Sequence, residues 1–129
     1  MSIKFDVNDL KDTIQAGENE AKLIKVDQVE KEIKNVPKKV IKFYFQVEDE
    51  TLVEECIRYV KGNSKLRNYI EGMTGKKLED LFANGFSLSN LVDKQYRVLI
   101  EKNTSKKTGQ VFNNVKKIGG QIKEADERG

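Results

Sequence analysis

The chain has 129 residues, 37% hydrophobic and 35% charged, with a formal net charge of +3; that is enough for one domain with a modest core under a densely ionic surface. It contains no histidine and one cysteine, Cys56, which excludes an intramolecular disulfide, a Cys–His catalytic pair and a four-ligand zinc site. The opening MSIKFDVNDLKD carries acids where a signal peptide is apolar, and no apolar run reaches spanning length, so the expectation is a cytoplasmic protein with no membrane partner.

In chain order, the first strand is predicted from about Glu18 to Glu30, after the turn-like Ala16-Gly17. Its apolar positions alternate through Ala21 and Leu23, then slip at Ile24 and Val26, the mark of a β-bulge. Residues 31–37 (KEIKNVP) are charged and end in the chain's one proline, Pro37, and read as a loop or edge extension. Residues 39–48 alternate cleanly: Ile41, Phe43, Phe45 and Val47 share one face, and Lys42, Tyr44, Gln46 and Glu48 the other. Asp49-Glu50 is read as a tight connection into a third strand, roughly Leu52 to Lys61, within which Cys56 is a small buried hydrophobe.

The period then changes. Ser64 is a good N-cap, Leu66, Tyr69, Ile70 and Met73 lie on one helical face, and Gly75 stops the helix. Short helical turns are expected around Leu78–Phe82 and Ser89–Asp93. A fourth strand follows at 95–102, a hairpin loop over NTSKKTGQ, and a fifth strand at 111–118. Three strands, a helix and two strands predict a mainly β fold, a five-stranded OB-type Greek-key barrel with one helix between strands 3 and 4. It occupies residues 1–120 as a single domain, with 121–129 a polar, flexible C-terminal tail.

No phosphate-cradling glycine loop, dinucleotide fingerprint, nucleophile elbow or metal-binding helix occurs. The acid pairs Glu54-Glu55 and Glu79-Asp80 are adjacent residues, and on a strand such neighbours point to opposite faces. No enzyme, metal or cofactor is therefore expected. The charge distribution says more. Residues 95–118 hold six bases against one acid, and residues 31–42 hold five lysines against Glu32, whereas residues 48–55 hold five acids and no base.

The two basic segments fall at the predicted loops 31–39 and 103–109, which in an OB-type barrel flank the face of strands two and three where oligonucleotides bind. Basic loops follow phosphates and outward aromatics stack on bases, neither reading sequence. The candidate binding residues are Lys34, Lys38, Lys39, Lys42, Tyr44, Arg58, Lys61, Lys106, Lys107 and Phe112. Arg58 and Lys61 are assigned to strand three. Tyr59 and Phe112 are each open to a core or a binding role, because the registers of strands three and five are not fixed by their patterns.

The segments GENEAKLIKVDQVEK, KFYFQVED, SKLRNYIEGMTGKKLEDL and LVDKQYRVLIEKNTSKKTGQVFNNVKKI together resemble a group of small phage and prophage single-stranded-DNA-binding proteins with an OB-type core. The resemblance implicates Lys42, Tyr44 and Arg58 on the strands and Lys106 and Lys107 in the hairpin. It implies sequence-tolerant binding of single-stranded DNA in replication, recombination or repair. The candidate partners are that DNA, a second copy in a homodimer, and phage or host replication and recombination proteins. Bacterial single-stranded-DNA-binding proteins typically end in an acidic tail with an apolar tip that recruits other replication proteins; the EADERG segment here departs from that pattern, so recruitment by that route is not expected. The competing expectation is an OB-like protein-interaction module, docking through the acidic 48–55 segment or an apolar tip at 82–88.

Overall fold

Alternation along strands of β-branched and aromatic residues sets this architecture, and a computed structural model describes it for Ile14 and residues 16–122. Residues 1–13 and 15 of the expected domain and 123–129 of the expected tail lie outside the described residues. The elements are β1 (Gly17–Ile33), β2 (Val36–Val47), β3 (Glu50–Ile57), α1 (Lys65–Thr74), α2 (Leu78–Ala83), a 3₁₀ turn (Leu88–Leu91), β4 (Gln95–Thr104) and β5 (Val111–Gln121). The five strands form one antiparallel sheet in the order β3-β2-β1-β4-β5. The sheet is open, with β3 and β5 at its edges.

The expected bulge is present: the β1–β2 register shifts between Leu23 and Lys25. Residues 31–37 are not a loop. β1 runs on to Ile33, which pairs with Val36, and only Lys34 and Asn35 turn, with φ of 52° and 65°. Positive φ at both central residues is what a type I′ turn requires, and its twist matches that of the strands it joins. Ladder pairing therefore overrides the local charge that suggested a loop. Because β3 pairs with β2 only from Val40 onward and β4 pairs with β1 only up to Lys22, residues 30–39 project as a two-stranded arm. Pro37 sits in that arm, where β2 has lost its β3 neighbour and the missing N–H costs least.

β3 also ends early. Ile57 is its last residue, and Arg58, Tyr59, Val60 and Lys61 lie in the connection to α1, a correction to the predicted strand three. Beyond the Val40↔Ile57 pair, Arg58 N–H still donates to Lys39 O at 2.8 Å, but Tyr59 N–H turns back onto Ile57 O.

The core lies between the sheet's buried face and α1. Phe43 and Phe45 are completely buried and meet the Tyr69 ring edge-on at centroid distances of 5.6 and 6.3 Å. Ser64 caps α1 by accepting from Arg67 N–H at 3.2 Å, and Gly75 closes it at φ 69°. Gly72 lets α1 rest on β5, since a Cβ there would collide with the Ile118 carbonyl oxygen. A second helix, α2, and the 3₁₀ turn follow, so one helix becomes two.

The gap between the two sheet edges is bridged by a side chain. Glu54 of β3 is 6% exposed. One of its carboxylate oxygens accepts from Val115 N–H of β5 at 3.1 Å; the other accepts from Lys65 Nζ at 3.0 Å and Tyr69 OH at 3.3 Å. Val115 O lies within reach of the same hydroxyl, so the single Tyr69 proton is shared between the Glu54 carboxylate and that carbonyl. A desolvated carboxylate is costly unless its lone pairs are satisfied, and here donors from two elements, α1 and β5, satisfy them.

Candidate nucleic-acid interface

The pleat of β2 that turns Phe43 and Phe45 inward turns Lys42 and Tyr44 outward. Their cross-strand partners build the rest of this face in rows. Tyr44 lies between Lys25 and Val53, and Lys42 between Asp27 and Glu55; further out, on the arm, Lys38 pairs with Lys31. Tyr44 is half-buried, and Lys25 Nζ lies 5.3 Å from its ring centroid.

The charges on this face are partly neutralised from within. Lys25 is 3.1 Å from Asp27, which raises the lysine's pKa by hydrogen bonding and charge. Glu55 accepts from Lys31 at 2.6 Å and lies 4.0 Å from Lys42. Lys31 above all holds the Glu55 carboxyl below its ordinary range.

The remaining candidate residues separate. Lys34 occupies the arm's turn and Lys38 its outer face, while Lys39, opposite Glu30, takes the other face by alternation. Lys106 and Lys107 sit at the β4–β5 tip, where Ser105 N–H bonds Gln110 O at 2.8 Å. Among the described residues, Lys34, Lys38, Lys39, Lys61, Lys106 and Lys107 make no ion pair. The two tips project from opposite ends of β1: Ile33 and Val36 close one end, whereas Gly17 pairs with Ile100 at the other and β4 continues to Thr104. Phe112 is 46% exposed and pairs with Asn103, so it is not core, but it belongs to the β4–β5 half of the sheet, away from the Tyr44 rows. Tyr59 is also exposed.

Arg58 is not on the Tyr44 face. Its guanidinium donates to Gln28 Oε1 at 2.6 Å, and Gln28 is the partner of core-facing Ile41. It lines a cleft with Val60, Leu66, Phe82 and Phe86, and Lys61 lies in the same connecting loop. Phe82 and Phe86 stack there at 6.2 Å, with Phe82 49% exposed. The acidic 48–55 segment does not form one surface: Glu54 points inward, Glu55 outward, and Glu48 and Asp49 make the β2–β3 turn.

Sequence reasoning missed Lys25, Asp27 and the pairing of Lys31 with Glu55. Their signal was the alternation of β1 after its bulge, legible only once the register with β2 is known. Cys56 is buried, which pushes its thiol up to about 12 and leaves it no thiolate character at neutral pH. Among the described residues no His, Cys, Asp and Glu group is arranged to hold a metal, and no helix is long and apolar enough to cross a membrane. No protein-family model and no characterised sequence matches the chain.

Proposed function

We propose that this chain binds single-stranded DNA without sequence preference, as a cytoplasmic, non-enzymatic protein built on an OB-type barrel. The observation that carries the reading is Tyr44, an aromatic held outward at the centre of a lysine-bearing sheet face, with unpaired lysines at both hairpin tips beyond it. A five-stranded, partly open sheet whose edges are spanned by Glu54 suits an OB-type barrel, in which strands two and three and the flanking loops make the groove.

In this reading, phosphates meet Lys38 and Lys42 on the face and Lys34, Lys106 and Lys107 at the tips. A base stacks on Tyr44 once Lys25 swings aside, which its exposed side chain permits. Nothing in such contacts reads base edges, so binding is sequence-tolerant.

The test is titration of the full chain with oligo-dT over a range of salt. Each phosphate contact contributes about 0.7 to the slope of log affinity against log salt on a single strand. Replacing Lys106 and Lys107 by alanine lowers the slope by up to about 0.7 per lysine and weakens binding alike for all sequences. No binding at low salt, or a double variant with the wild-type slope and affinity, overturns the reading. The protein-docking alternative rests on the exposed Phe82 beside Phe86 and becomes the better one in that event.

A further inference from the structure

The Lys31–Glu55–Lys42 bridge is the most specific arrangement of charge on the outer face. One carboxylate lies between lysines from two strands, at 2.6 Å from Lys31 and 4.0 Å from Lys42. Lys38, the cross-strand partner of Lys31, adds a third cation to the same face. Glu55 itself is carried outward by β3, next to Glu54, whose contacts fix the strand from the other side. Lys65 Nζ donates to Glu55 O as well as to Glu54, so the backbone that presents Glu55 is held in place. The three partners of the bridge keep side-chain exposures of 43%, 40% and 25%, which leaves the site open to an incoming anion.

A carboxylate and a phosphodiester are alike in the part that matters: one delocalised negative charge presenting two oxygens to ammonium donors. We infer that Glu55 occupies, in the free protein, the position that a backbone phosphate of the bound single strand takes on Lys31 and Lys42. Binding there is an exchange: the two lysines release Glu55 and take the phosphate, and the freed carboxylate turns to solvent and gathers a cation. This site rests on the proposed nucleic-acid reading and adds Lys31, with Glu55 as its internal competitor. The exchange has two consequences. Affinity is held below what the lysines alone would give, and the cation gathered by Glu55 offsets part of the counterion release, which makes the salt dependence shallower than the lysine count implies.

The experiment compares oligo-dT binding by the wild type, Glu55→Gln and Glu55→Gln combined with Lys31→Ala and Lys42→Ala, at several salt concentrations. Glutamine keeps the shape and removes the charge. The expected result is about five-fold tighter binding by Glu55→Gln, with a steeper salt slope, by no more than the roughly 0.7 that one phosphate contact contributes, because only one carboxylate's cation uptake is lost. The triple variant loses both the gain and the added slope. Binding by Glu55→Gln equal to wild type in affinity and slope overturns this inference while leaving the nucleic-acid reading in place. A gain that persists without Lys31 and Lys42 also overturns it, because a general charge change then accounts for the effect. Absence of oligo-dT binding by the wild type and Glu55→Gln alike at low salt ends both.

Discussion

The two faces of the β2–β3 hairpin use the same residue types in opposite ways. Inward, Phe43 and Phe45 pack against Tyr69, and Glu54 is closed off by Lys65, Tyr69 and Val115 N–H. Outward, Tyr44 stands half-open under Lys25, and Glu55 sits in water-accessible pairs with Lys31 and Lys42. An aromatic or a carboxylate is structural or available according to which side of a pleat it falls on, because burial changes the cost of leaving each polar atom unmatched.

Phe45→Ala tests the inner face most severely. Emptying a completely buried aromatic site should cost on the order of 3–5 kcal/mol, read as a lower chemical-denaturation midpoint. An unchanged midpoint would mean the stripe faces the wrong way.

Glu54→Ala comes next. It strands the Val115 N–H at the seam and leaves Tyr69 with one partner fewer, and should cost about 2–3 kcal/mol. Faster amide exchange at Val115 would localise the damage to the gap between β3 and β5. If the loss is no larger than for Glu55→Ala, the distinction between the faces collapses.

For Tyr44→Ala the expectation reverses: roughly 1–3 kcal/mol lost from oligo-dT binding with the salt slope nearly unchanged, as lost base stacking gives. Stability measured on the same variant should move far less than for Phe45→Ala. Equal damage to folding would place Tyr44 with the core.

The smallest effect belongs to Glu55→Gln on stability, about 0–1 kcal/mol at neutral pH, as for other exposed ion pairs. Its sign with pH follows from the lowered carboxyl. The contribution is present above the ordinary value of 4.5 and is lost as pH falls through the lower folded-state value. The difference in stability between wild type and variant should therefore shrink in acid, and one that grows there would contradict the pairing with Lys31.

Much of this was readable along the chain. The period-two run 39–48 identified the core stripe, the slip at Ile24 the bulge, and Ser64 and Gly75 the limits of α1. Charge density at 31–37 misled, because lysine and glutamate on a projecting ribbon look like those in a loop. Arg58 and Lys61 were misplaced because nothing local marks where β3 loses its partner.

The sequence by itself determined which residues face in and which face out wherever a period was clean, since burial of apolar side chains leaves only one choice of face. It also determined where lysines concentrate. Tertiary structure decided which of those lysines are free and which are held by a carboxylate from another strand. It also decided that Arg58 turns to the Phe82 cleft and that Glu54 spans the gap between β3 and β5. Those outcomes depend on register and on pairs distant in sequence: Lys31 with Glu55, Arg58 with Gln28, Glu54 with Val115. The alternation excludes a one-residue slip, which would exchange the two faces, but it does not say which residue of a neighbouring strand lies opposite.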